Sequence, residues 1–175
     1  METVIIYGSE YGTTEKYAKR FGELTNMEVK DYSEVNDLAG YQRIIYFGGI
    51  YGGYVKGLRE TTNRFPTDAE VIVVTVGLSD PEDKTVTEHI VKNIEKQLTP
   101  VFHEKAEFVH LRGAIDYKKL SFKHKVMMLA LYTKIKIKSE RKKTDEDRLI
   151  VKTYGDKVDF TDFEALGKIT DLIKE

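Results

Sequence analysis

The sequence predicts an α/β protein built on a doubly wound parallel sheet. Short β-rich apolar runs alternate along the chain with longer amphipathic stretches, which is the pattern of strands joined by helices. The 175 residues suit one domain, whereas an eight-stranded α/β barrel needs about 250. The composition, 41% hydrophobic and 33% charged, is that of a folded chain. We therefore expect a single five-stranded domain over residues 1–175.

The elements follow in order from the apolar periodicity. Five strands are predicted at residues 3–7, 27–31, 43–47, 70–76 and 107–111. Four helices are predicted at residues 14–24, 55–64, 85–98 and 160–173. The inward faces of the first and last helices are predicted to be Tyr17, Ala18, Phe21 and Leu24, and Phe163, Leu166, Ile169 and Ile173. Asp159 or Thr161 is the expected cap of the last helix.

Several classes of chemistry are excluded by the composition. Cysteine is absent, which excludes disulfides, thiolate catalysis and Cys-ligated metals and fits a reducing cytosol. The four histidines (89, 103, 110 and 124) lack a paired ligand spacing, so no metal site is predicted. No export signal and no apolar run of about 20 residues are found, so we expect a cytoplasmic protein.

Three turns are expected at the carboxyl edge of the sheet, where open α/β sheets bind ligands. The first, Ser9-Glu10-Tyr11-Gly12-Thr13-Thr14, leads into a helix, and its hydroxyls and helix N–H groups suit a monophosphate. The alternative is a plain capping turn with Thr13 or Thr14 as N-cap. No Lys follows the glycine and no G-x-G-x-x-G is present, so neither a Walker A loop nor an ordinary dinucleotide site is predicted.

The other two turns have compositions that suit a flat ligand. Residues 48–54 hold four glycines with Tyr51 and Tyr54, which allow close backbone approach and ring stacking. Residues 76–81 offer main-chain donors and acceptors to a ring edge. The alternatives are a flexible loop with surface tyrosines and a plain helix-entry loop. Together the three turns indicate a flat cofactor with a phosphate.

The chain resembles the flavodoxin family at these turns. Ser9, Gly12 and Thr14 match the [S/T]-x-[T/x]-G-x-[T/S] loop that holds the FMN phosphate in flavodoxins, with Tyr11 where a second hydroxyl residue is common. The resemblance implies FMN as cofactor and the strand order 2-1-3-4-5. It implies that the cofactor-binding residues are Ser9, Glu10, Tyr11, Gly12, Thr13, Thr14, Gly49, Ile50, Tyr51, Gly52, Gly53, Tyr54, Val76, Gly77, Leu78 and Ser79. No catalytic side chain is assigned, because redox chemistry belongs to the flavin.

A closer resemblance is to the flavodoxin-like protoporphyrinogen oxidases of the HemG type. It rests on residues 49–54, on residues 112–117 leading into a basic segment, and on Asp145-x-x-Arg148 and Phe160-x-x-Phe163-Glu164. This resemblance implies a role in heme biosynthesis, with dehydrogenation of protoporphyrinogen IX and a quinone as electron acceptor. In that family the inserted segment is thought to serve porphyrin or quinone access and membrane association.

Residues 113–154 interrupt the alternation, and we interpret them as an insertion at the fifth strand. Ten Lys/Arg and one acid give residues 118–143 a charge of +9, so the rest of the chain carries −10 within a total of −1. Residues 120–137 are predicted to form a helix that is apolar around most of its circumference with lysines at its ends. It suits an anionic membrane surface or a hydrophobic acceptor; alternatives are a helix packed on the acidic body or a dimer contact. Nucleic-acid binding is not expected, because aromatic stacking residues do not accompany the lysines.

The favoured hypothesis is an FMN-dependent oxidoreductase of the protoporphyrinogen-dehydrogenating type. The alternative is a flavodoxin-type electron-transfer protein that has no substrate of its own and docks with a redox partner. A flavin-free regulatory domain on the same scaffold is the third possibility, since a fold does not dictate a function.

Overall fold

Residues 1–174 are described by a computed structural model, in which strands and helices alternate as the sequence predicts. The strands are β1 (Thr3–Gly8), β2 (Glu28–Asp31), β3 (Arg43–Tyr51), β4 (Tyr54–Val55), β5 (Glu70–Gly77), β6 (Glu107–Arg112), β7 (Ala114–Asp116) and β8 (Lys157–Asp159). The helices are α1 (Thr13–Thr25), α2 (Leu58–Thr61), α3 (Lys84–Glu95), α4 (Phe122–Lys136), α5 (Asp145–Thr153) and α6 (Gly167–Lys174).

The main sheet has five parallel strands in the order β2-β1-β3-β5-β6. Counting only the parallel strands, this is the predicted order 2-1-3-4-5, and the predicted fold class is confirmed. The central pairing of β3 with β5 runs from Arg43 opposite Glu70 to Gly49 opposite Val76. The order reverses beside β1, so the carboxyl ends of β1, β3 and β5 lie next to one another.

The core has two layers because successive strand side chains point to opposite faces of the sheet. In β1, Ile5 packs with Tyr17 and Phe21 of α1, on the face that α6 also covers. Its neighbours Val4 and Ile6 face the other layer. That second layer comprises residues of the three central strands together with Leu58 of α2 and Ile94 of α3. Both faces of the sheet are therefore covered, as a parallel sheet requires.

The third strand is longer than predicted, and the glycine-rich turn after it is a hairpin. β3 continues through Gly48 and Gly49 to Tyr51, and β4 folds back antiparallel on it. Gly52 and Gly53 form the two-residue turn with φ of 59° and 83°, values that residues other than glycine rarely adopt. The helix predicted at 55–64 is consequently only α2 followed by a 3-10 turn at Thr62–Arg64.

Two helix predictions at the ends of elements are wrong. The last helix was expected from residue 160, but β8 occupies Lys157–Asp159 and α6 begins at Gly167. Asp159 accepts the Thr161 N–H in a turn and caps no α-helix, because the strand pairing with β7 takes precedence over helix formation there. Leu24 and Phe163 were predicted to face inward but are 57% and 42% exposed; Leu24 lies in the last turn of α1, and Phe163 precedes α6.

The insertion forms a small unit of its own against the carboxyl edge of the main sheet. Its first segment, β7, pairs antiparallel with β8, which lies just beyond the predicted end of the insertion at residue 154. Between them α4 lies within the predicted 120–137, and α5 begins at a capping box made by Thr144 and Asp147. Nζ of Lys138 forms an ion pair with Oδ2 of Asp147 at 2.8 Å, which connects the segment after α4 to α5. Over residues 1–174, no helix has the length and apolar character needed to cross a membrane.

Candidate functional site

A cavity lies at the carboxyl edge of the sheet, where the three predicted turns meet. Together with the open solvent at its mouth, it measures about 660 Å³. The three turns contribute Tyr11, Thr13, Thr14, Ile50, Tyr51, Gly52, Val76, Gly77 and Leu78. The insertion contributes Gly113, Ala114, Ile115, Leu120, His124, Met127 and Met128. The site is therefore formed jointly by the sheet edge and the insertion.

The first turn presents an open helix N-terminus to this cavity. Ser9 closes the turn by accepting the Gly12 N–H on its Oγ at 3.0 Å. Gly12 occupies the N-cap position of α1 with φ of 90°, and no side chain caps the helix. The alternative in which Thr13 or Thr14 is the N-cap is thus wrong. The first N–H groups of α1 have no side-chain acceptor, which is the arrangement that favours an anion.

A hydroxyl oxygen already receives a hydrogen bond from this turn. The Glu10 N–H donates to Oη of Tyr51 at 3.2 Å, and burial raises the pKa of that phenol, so it stays neutral. A Cβ built on Gly49 would lie 2.6 Å from the same oxygen and 3.0 Å from Oγ1 of Thr14. The Glu10 N–H thus already has an oxygen acceptor, beside a glycine that allows close approach. A phosphate oxygen has the acceptor chemistry that the uncapped N–H groups of α1 require.

The second turn is held rigidly by a buried amide. Oε1 of Gln97 accepts the Val55 N–H at 2.9 Å, and its Nε2 donates to the Gly53 carbonyl at 3.0 Å. This fixes the hairpin so that Ile50, Tyr51 and Gly52 face the cavity. Tyr54 pairs with Tyr51 across the hairpin and is 66% exposed. A single tyrosine of the predicted two therefore reaches the cavity.

The third turn is anchored through its carbonyl groups to β6. Nε2 of His110 donates to the Ser79 carbonyl at 3.2 Å, and the Gly113 N–H donates to the Gly77 carbonyl at 2.7 Å. His110 also contacts Oγ1 of Thr75 through Nδ1 at 2.8 Å. Burial lowers the pKa of His110, with the Arg112 charge adding to the effect. His110 is therefore a neutral residue that positions residues 77–79.

Nine of the sixteen predicted cofactor residues line the cavity, and the other seven support it or lie beside it. Those outside the lining are Ser9, Glu10, Gly12, Gly49, Gly53, Tyr54 and Ser79. Ser9, Gly12 and Gly49 shape the first turn and its surroundings, as described above. Glu10 pairs with Lys56 at 3.3 Å, and Ser79 donates to Glu146 of α5 at 2.6 Å.

The insertion supplies the cavity residues that the sequence patterns missed. His124 lies in the first turn of α4, 113 residues after Tyr11, and its Nδ1 is 2.5 Å from Oη of Tyr11. Met127 and Met128 follow on the same helix. The methionine pair was the available signal, because methionine suits irregular and aromatic ligands. In the described part of the chain, no group of three or more His, Cys, Asp or Glu side chains could hold a metal ion.

The chain has the features of an α/β protein that binds a ligand with a phosphate group. These features are an uncapped first helix, a glycine hairpin and a third turn, all at the switch point of a doubly wound sheet. A family model described as the flavodoxin domain matches residues 4–145. The chain therefore belongs to the flavodoxin domain family. No curated protein matches it significantly in sequence.

Solved structures of flavoproteins are similar at low identity. A putative flavoprotein from Bacteroides uniformis is 17% identical with a TM-score of 0.44, covering 63% of this chain and 88% of its own. A flavodoxin from the domain Archaea is 15% identical with a TM-score of 0.39, covering 65% and 85%. A cysteine-to-alanine mutant of flavodoxin from Pseudomonas aeruginosa is 16% identical with a TM-score of 0.41, covering 74% and 93%.

Family membership makes FMN the cofactor, and the residues present fit it. The uncapped first turn of α1 would hold the phosphate. Residues 50–52 and 76–78 would border the flat ring. FMN supplies one- and two-electron redox chemistry when bound, while the protein supplies orientation, exclusion of water and contacts for the reacting partner.

Proposed function

We propose that this chain is an FMN-dependent oxidoreductase that dehydrogenates protoporphyrinogen IX and passes the electrons to a quinone. The observation that supports an enzyme is the cover formed by the insertion. Ile115, Leu120, Met127 and Met128 line the cavity from the insertion side and give it an apolar wall. A large, flat, hydrophobic substrate matches such a wall, whereas a protein partner needs an open edge of the flavin.

An anaerobic titration of the FMN-loaded protein tests this function. With three FMN-loaded molecules per protoporphyrinogen, which together take up the six electrons lost on oxidation to porphyrin, the flavin absorbance is expected to bleach while porphyrin fluorescence appears, and added quinone is expected to restore the absorbance. Bleaching by dithionite without any bleaching by protoporphyrinogen would reject the substrate. Protein that binds no FMN on reconstitution would reject every flavin function.

A second candidate is an electron carrier without a substrate of its own. It is favoured by the charge of −10 outside residues 118–143, because an acidic surface steers encounters with basic redox partners. A carrier is expected to be reduced in two separate one-electron steps and to accept electrons from a flavodoxin reductase. Two separate one-electron steps in the anaerobic titration, without bleaching by protoporphyrinogen, therefore distinguish the carrier from the porphyrinogen dehydrogenase.

The insertion is also proposed to contact an anionic membrane, where a quinone would be met. On α4 and just after it, Phe122 is 83% exposed and Ile137 is 80% exposed. Four lysines of this helix, at positions 123, 125, 134 and 136, accompany the exposed apolar residues. Apolar side chains among lysines suit the headgroup region of an anionic bilayer.

Co-sedimentation with vesicles tests the membrane contact. Binding to phosphatidylglycerol-containing vesicles is expected, with little binding to pure phosphatidylcholine. The double substitution Phe122→Ser with Ile137→Ser should weaken binding at least tenfold. Leu24→Ser, which removes an exposed leucine from α1, is the matched control and should leave binding unchanged. Equal binding by all three proteins would reject the assignment.

A further inference from the structure

Residues 118–131 of the insertion form a strap that crosses the cofactor cavity, and both ends of the strap are held by one aromatic ring. Just before the strap, the Tyr117 ring meets the Tyr154 ring edge-on with centroids 5.1 Å apart. Just after it, the Tyr132 ring stacks on the same Tyr154 ring with centroids 4.2 Å apart and 21° between the planes. These three tyrosines are the base of the strap, and they all belong to the insertion or its edge.

Between its ends the strap rests on the first two cofactor turns. The imidazole of His124 stacks on the Tyr51 ring with centroids 5.2 Å apart and 17° between the planes. A Cβ built on Gly52 would lie 2.7 Å from Sδ of Met127, so the sulfur packs directly against the hairpin turn. The strap residues that line the cavity are Leu120, His124, Met127 and Met128. The strap is therefore the outer wall of the cavity.

The hydrogen bonds between the strap and the three turns all end on one atom. Oη of Tyr11 accepts the Ser121 N–H at 3.2 Å and lies 2.5 Å from Nδ1 of His124. Within residues 1–174, no other hydrogen bond joins the strap to these turns, and its four lysines form no ion pair. Tyr11, Ser121 and His124 thus form a latch that depends on a single hydroxyl group.

We propose that the strap opens by parting from Tyr11 while its base stays closed, and that FMN enters and leaves the cavity through the open form. Segments with few contacts open at a lower free energy than the rest of a protein. The hairpin beneath the strap is held separately by Gln97, so it keeps its shape when the latch breaks. Opening concerns the exchange of the cofactor and does not depend on which substrate the flavin oxidises.

The latch has a kinetic consequence that a simple binding contact does not have. When only the open form exchanges FMN, the association and dissociation rate constants both scale with the open fraction. A change that favours the open form therefore speeds both, while the Kd for FMN stays nearly constant. Loss of a contact between the protein and FMN raises the dissociation rate constant alone.

Amide hydrogen exchange tests the opening without any ligand. Tyr11→Phe removes the acceptor of the Ser121 N–H and the partner of His124 but keeps the aromatic ring. Exchange over residues 121–128 should become about tenfold faster, the scale of one net hydrogen bond. Exchange in α5 should change by less than about twofold, because the base stays closed. Unchanged exchange over residues 121–128 overturns the latch.

The matched control for this experiment is Tyr132→Phe. It removes a hydroxyl group whose partner, Lys136, lies in the same helix, and it leaves the ring stacked on Tyr154. Its exchange should match that of the wild type over residues 121–128. Exchange accelerated equally by Tyr132→Phe and Tyr11→Phe would show that the strap is not fastened at Tyr11, and would overturn the proposal.

Stopped-flow flavin fluorescence tests the passage of FMN. Mixing the apoprotein with FMN gives the association rate constant, and dilution of the complex gives the dissociation rate constant. Tyr11→Phe should raise both about tenfold and change the Kd by less than about threefold, whereas Tyr132→Phe should behave as wild type. An association rate constant that Tyr11→Phe leaves unchanged overturns the proposal, because Tyr11 is then a binding contact and not a latch.

These results are separate from those that decide the proposed function. Neither measurement uses protoporphyrinogen, so a protein that protoporphyrinogen does not reduce rejects that substrate and leaves the strap to be decided by exchange and binding kinetics. A protein that binds no FMN rejects the passage of FMN together with every flavin function. A protein that oxidises protoporphyrinogen but shows no faster association in Tyr11→Phe keeps the proposed function and rejects the latch.

Discussion

Gln97 and Val55 are joined by a hydrogen bond of 2.9 Å from the Val55 N–H to Oε1 of the glutamine. The other end of the amide donates to the carbonyls of Gly53 and Asn93, both at 3.0 Å. Gln97 is buried, and its polar atoms are used by the hairpin and by α3. The conformation of the second cofactor turn thus depends on a side chain 42 residues away.

Gln97→Leu is expected to destabilise the protein by about 1–3 kcal/mol, because the buried Val55 N–H loses its acceptor. Urea denaturation measures the change, and the Kd for FMN should rise with it as the hairpin loosens. Gln42→Leu is the matched control, since Gln42 is not buried, and should change stability by less than about 0.5 kcal/mol. Equal losses of stability in the two variants would show that the hydrogen bonds of Gln97 do not stabilise the hairpin.

The turn of the hairpin gives a second prediction. Gly53 has φ of 83°, so Gly53→Ala should cost about 1 kcal/mol through backbone strain although no atom lies within 4 Å of the added Cβ. Gly167→Ala also adds a methyl group in open space, but at a helical φ, and should be neutral or stabilising by up to about 1 kcal/mol. Thermal unfolding of the two variants compares them directly; a stable Gly53→Ala would disprove the strained turn.

The third prediction concerns the hydroxyl of Tyr17. It donates to the Arg112 carbonyl and accepts the Asp162 N–H, both at 2.7 Å, and so joins α1 to the end of β6 and the segment before α6. Tyr17→Phe should cost about 1–3 kcal/mol, because two backbone groups lose their partner. Tyr7→Phe is the control, as the Tyr7 hydroxyl forms no hydrogen bond within residues 1–174. If Tyr17→Phe lost less stability than Tyr7→Phe, the Tyr17 hydroxyl would not stabilise the contact between α1, β6 and the segment before α6.

The pH dependence of stability provides a fourth prediction. Burial holds the pKa of His110 below its ordinary value of 6.5, so the unfolded chain binds a proton before the folded protein does. The contribution of His110 to the stability of the folded protein is therefore complete above about pH 6.5. It is lost as the pH falls towards the lowered pKa, at up to about 1.4 kcal/mol per pH unit.

His110→Asn removes the titrating group and keeps a polar side chain opposite Thr75. Melting temperatures measured from about pH 7.5 to about pH 5.0, the range around the ordinary histidine pKa, should fall less steeply for this variant than for the wild type. His89→Asn, at an exposed position, should follow the wild-type curve. Parallel curves for all three proteins would show that His110 does not contribute to acid sensitivity.

The sheet and its order could be predicted because each central strand carries its own signal. The run Val71-Ile72-Val73-Val74 is buried on both faces of the sheet, and such a strand needs continuous β-branched residues. The three turns could be located for the same reason, since each follows directly after a buried strand. Ends of elements were harder: β8 is only three residues long and forms because β7 is beside it, which no local pattern in residues 157–159 indicates.

Seven of the sixteen residues that line the cavity come from the insertion and could not be predicted, because contacts distant in sequence bring them to the site. Tyr54 has the composition of a stacking residue, yet the two-residue turn places it on the exposed side of the hairpin. His124 has no partner at helical or strand spacing, and its contact with Tyr11 exists only because α4 folds back over the first turn. Periodicity reports which face of an element is buried but not which distant element covers it.

The insertion leaves and rejoins the domain at a single point. The Phe160 N–H donates to the Gly113 carbonyl at 3.0 Å, and β7 pairs with β8 immediately beyond. A segment with adjacent ends can be removed while the parallel strands keep their pairing. Because this segment also brings His124 and the methionine wall, one side of the cavity belongs to a unit with adjacent ends: replacing residues 117–156 by a tight turn would leave the three turns of the sheet edge open to solvent.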